Sequence, residues 1–290
     1  MERPMRLRLL ALLMLLCSPS LPAGERLVYP RHAGSTAPEA YVLELLRQAL
    51  DKSGAGHQLQ PSARDMPQSR AEQALEQNDG SLQVMWAMTS REREQALLPI
   101  RIPLDKGLTG WRVALVREED RHWLQTVRQL ADLKLMRFGQ HSDWPDTAIL
   151  RSNGLQVVTS QDYANLFRML NAGRFDLFPR EVLVAWDEQA RAEAEGLKLA
   201  VDEHIVLHYP SALYFFTSRA RADLAADIGR GLEAMIADGS FERLFDAHHG
   251  ASLRQARLDR RLVIELQNPD LPQLTPFSRR ELWHQPAAPK

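Results

Sequence analysis

The chain of 290 residues is long enough for one large domain or two of ordinary size. Its 36 lysines and arginines nearly balance its 37 aspartates and glutamates, so the net charge does not favour a nucleic acid or an anionic membrane surface as a partner. The one cysteine, Cys17, excludes a disulfide within the chain.

Residues 1–23 have the pattern of a secretory signal peptide. Arginines in residues 1–8 precede an apolar run over 9–17, and small residues and prolines follow up to Ala23. The run is about half of the ~20 residues that span a bilayer. We therefore expect cleavage after Ala23 and a mature, cysteine-free protein in the periplasm. A lipid attached at Cys17 is the alternative, which the bulky residue before it disfavours.

Strands and helices alternate in the first part of the mature chain. A strand over 26–30 is followed by a helix that starts at Thr36, with apolar residues at helical spacing. The next elements are a strand over 57–61, a helix over 67–78 and a strand over 82–86. This β-α-β-α-β order predicts a parallel sheet with helices on both faces.

A second α/β unit is predicted after Val116. Its helices span 120–130, 143–153, 160–173 and 181–194, and its strands span 134–138, 155–158 and 175–178. Ser160 can cap the third of these helices. The chain then returns through the apolar runs 204–209 and 211–216 to an amphipathic helix over 224–236.

Two α/β units that are joined by two strands indicate two lobes with a cleft between them. The chain crosses outward near residue 111 and back near residue 209, which predicts a hinge of two crossing strands. Lobe 1 would comprise 24–110 and 210–250, and lobe 2 would comprise 111–209. In open parallel sheets, ligands bind at the carboxyl ends of the strands, where helix N-termini present free N–H groups. We expect both lobes to direct those ends into the cleft.

Residues 251–290 form a C-terminal extension beyond the two predicted lobes. Residues 261–266 are mostly apolar, which predicts a strand that must be covered by other elements. We predict that 251–283 packs on lobe 1, with Trp283 partly buried.

Three segments carry a resemblance to a known family. Segment 88-MTSRER-93 is similar to a Thr-x-x-Arg turn, with Ser90 in place of the threonine. Segment 130-LADL-133 is similar to a Leu-x-Asp-Leu opening of a second lobe, and 170-LNAGRFDLFPRE-181 is similar to a Leu-x-x-Gly-x-x-Asp strand. Over roughly residues 25–250 the chain resembles the type II periplasmic binding proteins, specifically the polar amino acid receptors of solute-binding family 3. The resemblance implies a two-lobed α/β fold that closes on a solute.

The resemblance also implies roles for two charged residues. Arg93 would bind a solute carboxylate, for which the planar guanidinium is well suited. Glu181 stands where the family often has an amine-binding Asp. The alternatives are local: Arg93 could be a solvated residue that pairs with Glu92 or Glu94, and Glu181 could be an acid that favours a helix N-terminus. Arg91 is the nearest rival for carboxylate binding.

Further candidate contacts follow from position in the predicted topology. Trp86 and Trp144 could cover the apolar side of a ligand or pack in the core. The turn over 139–147 could hold an anion with its N–H groups or could be a plain helix cap. The full candidate set is Arg31, Trp86, Ser90, Arg93, Ser142, Asp143, Trp144 and Glu181.

Taken together, these features predict a periplasmic protein that captures a small anionic or zwitterionic, amino-acid-like solute for an ABC-type uptake system. The expected partner is an inner-membrane permease, or a sensor protein if the module serves signalling. We expect a monomer that binds no nucleic acid and no cofactor. We also expect no metal site, because His141, Asp143 and Asp146 lack a metal-binding spacing. The chain contains no Gly-x-Ser-x-Gly elbow and no phosphate-loop pattern, so we do not expect an enzyme. A dehydratase of cyclohexadienyl acids on the same fold is the alternative.

Overall fold

The computed structural model of the protein describes residues 24–31 and 37–285. The predicted signal peptide, Cys17 and the predicted helix start at Thr36 lie outside the described residues. Within 24–31 and 37–285, the helices are too short or too polar to cross a bilayer.

Helices and strands alternate along most of the described chain. The first elements are β1 (Arg26–Arg31), α1 (Ala37–Ser53), β2 (Gln58–Asp65), α2 (Gln68–Gln77), β3 (Met85–Met88), α3 (Arg91–Ala96) and β4 (Leu98–Ile100). The middle elements are β5 (Trp111–Arg117), β6 (Arg137–His141), α4 (Pro145–Ser152), β7 (Gln156–Ser160), α5 (Tyr163–Asn171), β8 (Phe178–Glu181), α6 (Ala185–Ala194) and β9 (Leu199–Val201). The last elements are β10 (Ile205–His208), β11 (Leu213–Thr217), α7 (Ala222–Ala237), α8 (Ser240–Ala256) and β12 (Leu262–Glu265).

The strands form both parallel and antiparallel pairs. β1 pairs with β2 and β6 pairs with β7 in parallel, as the alternating strand and helix pattern predicts. β11, on the return path, pairs antiparallel with β3 and β4. β5 pairs antiparallel with β8, β9 and β10, and β12 joins the outer edge of β10 in parallel. β5 and the returning strands β10 and β11 therefore add antiparallel pairs to the predicted parallel arrangement.

α1 illustrates how the sequence pattern builds the core. Leu45, Leu46 and Ala49 recur at helical spacing and are fully buried. α1 packs against α7, and Gly231 permits a close approach because a Cβ at that position would lie 1.8 Å from the carbonyl oxygen of Ala49. The two helices share one hydrophobic core with Phe215 of β11.

The helix predicted over 120–130 is wrong. Three short 3-10 turns occupy this region: Glu118–Asp120, Trp123–Thr126 and Leu130–Leu133. The Asp132 carboxylate accepts hydrogen bonds from the backbone N–H groups of Arg128 (2.8 Å) and Gln129 (3.1 Å). Such local side-chain bonds compete with the backbone bonds of a helix.

The helix predicted over 160–173 begins later than expected. Its N-cap is Asp162, whose carboxylate accepts from the backbone N–H of Asn165 at 3.1 Å, and not Ser160. Asp162 provides this bond because it directly precedes the first helical residue, Tyr163.

The outward and return segments of the chain run side by side where the hinge is predicted. β10 pairs with β5 at Leu207 with Arg112 and at His208 with Trp111. The backbone N–H of Tyr209 continues this contact with a hydrogen bond to the Gly110 carbonyl (3.1 Å).

The C-terminal extension contacts elements from both predicted lobe ranges. β12 pairs with β10, and Gln267 exchanges two hydrogen bonds with the Asn153 side chain (2.8 and 2.9 Å). Further along, the Asp270 carbonyl accepts from the backbone N–H of Arg91 (3.1 Å). Trp283 is partly buried and packs against the core that includes α1 and α7. The prediction named lobe 1 alone, whereas β10 lies in the range predicted for lobe 2.

Candidate functional site

A cleft of about 790 Å³ lies between α2, the start of α3 and the turn that connects β6 to α4. Five predicted contacts line this cleft: Ser90, Arg93, Ser142, Asp143 and Trp144. The first two belong to the range predicted for lobe 1 and the other three to the range predicted for lobe 2. The structure therefore brings Arg93 and the turn between β6 and α4 to one cavity.

A second cavity of about 230 Å³ adjoins the cleft, because Gln68, Trp144 and Pro145 line both. Two more predicted contacts, Trp86 and Glu181, line this inner cavity. It is also lined by charged residues that the sequence analysis did not select: Arg112, Asp146 and Arg180.

Arg93 is buried and already bound to a carboxylate of the protein. Its exposed fraction is 7%. The guanidinium donates through Nε (3.1 Å) and Nη2 (2.5 Å) to Oε1 of Glu72, and through Nη1 to the Met88 carbonyl. Ser90 caps α3 by accepting from the Arg93 backbone N–H (3.1 Å). Arg93 is thus not a solvated residue that pairs with Glu92, and its partner comes from α2.

The Glu94 alternative for Arg93 also fails. The Glu94 carboxylate accepts from the Arg101 guanidinium at 2.6 and 3.0 Å. Its other oxygen accepts from the Thr89 hydroxyl at 2.8 Å. Glu94 is therefore committed to Arg101, which follows β4.

The turn between β6 and α4 presents polar groups and one aromatic ring to the cleft. Ser142 donates to Asp143 Oδ1 (2.9 Å), and neither side chain caps α4, which begins with Trp144 at the N-cap and Pro145 after it. Trp144 stacks on His141, with ring centroids 5.4 Å apart. The predicted alternative of a plain helix cap by Ser142 or Asp143 is therefore wrong.

A buried polar cluster centred on Arg112 forms one wall of the inner cavity. Arg112 pairs with Asp146 (2.8 Å) and Glu181 (3.2 Å), and its Nε donates to the Tyr209 hydroxyl (2.8 Å). Burial lowers the pKa of Arg112, but Asp146, Tyr209 and Glu181 together hold it above its ordinary value. Burial raises the pKa of Tyr209 well above its ordinary value. Arg112 therefore stays positively charged, and carboxylates of the protein balance its charge.

The sequence contains a signal that could have identified this cluster. Arg112 is the one charged residue within the otherwise apolar run 111-WRVALV-116. An ionised side chain within a fully buried strand needs partners, because an isolated buried charge is strongly unfavourable. The identity of the partners could not be read from the run itself.

Arg180 forms a second buried pair beside Trp144. Its guanidinium donates to both oxygens of Glu188 (2.6 and 2.7 Å), and the Tyr163 hydroxyl donates to the same carboxylate. The guanidinium carbon also lies over the rings of Trp144 (4.6 Å) and Phe178 (4.8 Å). Arg180, the cation that follows Pro179 in sequence, is therefore paired with a carboxylate of the protein itself.

Of the two remaining candidates, one reaches the inner cavity and the other lines neither cavity. Trp86 is half-buried in β3, with its ring 6.2 Å from that of Tyr29, and it reaches the inner cavity. Arg31 is exposed, pairs with Asp65 (2.8 Å) and lines neither cavity. The structure does not bring Arg31 together with the other candidates.

The extension also contributes to the cleft. Asp270 lines it beside Arg93 and Glu92. Sequence reasoning assigned no site residue to this segment. Among residues 24–31 and 37–285, no group of three or more His, Cys, Asp or Glu side chains is arranged to hold a metal ion.

No protein-family model matches the sequence, and no curated protein matches it. Solved structures do match the fold. The probable amino-acid ABC transporter extracellular-binding protein ytmK from Bacillus subtilis aligns with a TM-score of 0.59 at 18% identity, over 78% of this chain and 98% of that chain.

Two other similar structures differ in what their names describe. A double mutant of the BvgS VFT2 domain from Bordetella pertussis aligns with a TM-score of 0.56 at 17% identity, over 78% of this chain and 93% of that chain. The ancestral amino acid-binding protein AncCDT-1, a precursor of cyclohexadienyl dehydratase, aligns with a TM-score of 0.56 at 14% identity, over 78% and 96%. Likeness at these identities shows the fold, and the predicted two-lobed type II binding-protein architecture is confirmed.

Proposed function

We propose that this protein is an exported solute-binding protein that captures a small amino-acid-like solute between two lobes. In this proposal it works with an inner-membrane permease, and residues 1–23 direct its export. Lobe 1 contains residues 24–110 and 210–250, and lobe 2 contains residues 111–209. The similar structures whose names describe amino-acid binding support this choice of solute class.

One observation carries the proposal: polar groups from both predicted lobes line a single cleft. Ser90 and Arg93 lie on one side, and Ser142, Asp143 and Trp144 lie on the other. A solute that touches both sides favours the closed state, because only that state provides both sets of contacts. The cleft volume of about 790 Å³ lies within the range of roughly 300–1,000 Å³ that small-molecule sites occupy.

The side chains suit a polar solute with a short apolar part. The Ser142 hydroxyl and the Asp143 carboxylate can bind ammonium or hydroxyl groups, and the Trp144 ring can cover an apolar segment. Donors, acceptors and an apolar face in one cleft fit a zwitterion better than a hydrocarbon or a simple ion.

The ion pairs in and beside the inner cavity favour binding over catalysis. A dehydratase on this fold would need a group that is ready to donate or accept a proton. Asp146 is held by Arg112, and Glu188 accepts two hydrogen bonds from Arg180 and one from Tyr163. Both carboxylates are engaged by guanidinium groups of the protein, which favours a structural role for them over proton transfer to a solute.

Blocking the cleft tests the proposal. Ala148 is exposed, lies on α4 and lines the cleft, so Ala148→Trp should fill the cavity without disturbing the core. Ser152→Trp, one turn later on the same helix and outside the cleft lining, is the matched control. A screen of amino acids, small carboxylates, amines and sugars by thermal shift would first identify solutes. A solute at a hundredfold its dissociation constant adds roughly 2.7 kcal/mol of apparent stability.

We expect at least one amino-acid-like solute to stabilise the wild-type protein and Ser152→Trp equally. The same solute should not stabilise Ala148→Trp. Stabilisation of all three proteins by the same solute would place the binding site outside the cleft. A wild-type protein that responds to none of the solutes would contradict the proposed function.

A further inference from the structure

Glu72 already binds Arg93, the arginine that is predicted to bind a solute carboxylate. Oε1 of Glu72 accepts two hydrogen bonds from Arg93 and a third from Gln68 Nε2 (3.2 Å). The remaining donor group of the Arg93 fork, Nη1, is bound to the Met88 carbonyl. A planar guanidinium binds a carboxylate through two neighbouring N–H groups, and here Glu72 supplies that carboxylate from within the chain.

The carboxylate is the partner that is accessible from the cleft. Glu72 and Arg93 both line the cleft, but the Glu72 side chain is 31% exposed and the Arg93 side chain is 7% exposed. A solute that approaches this wall therefore meets a negative charge before it meets the guanidinium. Glu72 Oε2 makes no hydrogen bond with the residues that the structure describes, so it can accept a donor from a solute.

Most of the other charges of the cleft that lack an ionic partner among the described residues have the same sign as Glu72. Glu92 and Asp270 also line it, and neither carboxylate forms an ion pair with a described residue. Asp143 is bound by the Ser142 hydroxyl alone. Arg151 is the one lining guanidinium, among the residues described, that no carboxylate neutralises. The arginines of the inner cavity are paired with Asp146, Glu181 and Glu188.

From this geometry we propose that Glu72 is a specificity-determining residue, which makes the cleft prefer solutes with a net positive charge over anionic ones. The inference rests on the proposed function, because it assigns a charge class to the solute of that cleft. A solute carboxylate can bind Arg93 only by displacing Glu72. One charge-assisted pair then replaces another, so the net gain in binding free energy is small. A solute ammonium or guanidinium group can bind Glu72 while the pair between Glu72 and Arg93 stays intact.

The inference can be tested with three probes of similar size and different charge: L-arginine, L-glutamine and L-glutamate. Titration calorimetry of the wild-type protein should give the tightest binding for L-arginine and the weakest for L-glutamate. Glu72→Gln removes the charge and keeps the shape of the side chain. In this variant we expect affinity for L-glutamate to rise roughly tenfold or more and affinity for L-arginine to fall by a similar factor, the value of one charge-assisted hydrogen bond.

Glu76→Gln is the matched control, because Glu76 lies one turn later on α2, is exposed and does not line the cleft. It should preserve the wild-type affinities. Glu72→Gln leaves Arg93 without its ionic partner and should lower the melting temperature of the solute-free protein. L-glutamate should then raise the melting temperature of this variant more than that of the wild type. This second readout works even if the variant is too unstable for calorimetry.

An unchanged ratio of L-glutamate to L-arginine affinity in Glu72→Gln would overturn the role of Glu72 and leave the proposed function intact. A wild-type preference for L-glutamate would also overturn it. Failure of all three probes to bind either protein would overturn both the charge class and the amino-acid-like solute of the proposed function.

Discussion

The buried pair between Arg180 and Glu188 offers a sharp test of how the wall of the inner cavity is stabilised. Arg180 is 7% exposed and Glu188 is 3% exposed, and two hydrogen bonds of 2.6 and 2.7 Å join them. Glu188→Gln removes the negative charge with almost no change in volume. The perturbation leaves the Arg180 guanidinium buried beside Trp144 and Phe178 without an ionic partner.

The expected loss of stability is large for a single isosteric change. Breaking a buried ion pair by removing one partner costs about 3–5 kcal/mol, because the other charge stays desolvated. Two features reduce this cost: the new amide oxygen can still accept one hydrogen bond, and the aromatic rings keep their cation–π contacts with Arg180, worth about 0.5–2 kcal/mol. We therefore expect a loss near the lower end of the range, about 3 kcal/mol.

Urea unfolding at neutral pH measures this loss, with Glu193→Gln as the control. Glu193 lies on the same helix, is exposed and forms no ion pair with a described residue, so its replacement should change the stability by less than about 0.5 kcal/mol. The double variant Arg180→Met with Glu188→Leu should recover most of the loss, because it removes both charges at once. A cost below about 1 kcal/mol for Glu188→Gln would refute the reasoning, since it would mean that water reaches Arg180 and solvates it.

Two further changes test the packing of the extension and of α8. Gly107 has a φ of +76°, and a Cβ there would lie 2.5 Å from the Trp283 ring, whereas Gly196 has a φ of +83° and open space around it. Gly107→Ala should therefore cost about 1–3 kcal/mol more than Gly196→Ala in urea unfolding, and equal costs would show that Trp283 does not pack there. Burial, with a smaller contribution from a neighbouring histidine, lowers the pKa of His249 to about 4. Because the unfolded ring titrates near pH 6.5, protonation favours the unfolded state as the pH falls from about 6.5 to 4, and the folded protein should lose about 3 kcal/mol over this window. His249→Phe should flatten that part of the stability profile, and an identical slope in both proteins would contradict the assignment.

Helical periodicity and strand order contained most of the information about the fold. The apolar spacing of Leu45, Leu46 and Ala49 predicted the buried face of α1, and the alternation of strands and helices predicted the two-lobed α/β architecture. These signals are readable because they depend on neighbours three or four residues apart, or on the order of elements. The helix predicted over 120–130 shows the limit: short turns occupy this segment, and the Asp132 carboxylate bonds to N–H groups at its C-terminal end.

The position of Arg93 in the turn after a strand indicated that it would lie at the cleft, and Arg93 does line the cleft. The sequence did not show that this arginine is buried, nor that its partner is Glu72, which is 21 residues away on another helix. Arg112 and Arg180 likewise acquire partners that only the packing of separate elements brings into reach. Which carboxylate neutralises a buried guanidinium depends on the relative placement of whole helices and strands, and no periodicity within one segment encodes that placement. The sequence by itself thus directed Arg93 and Asp143 to the cleft, and the tertiary structure alone decided which charged groups join them and which remain available to a solute.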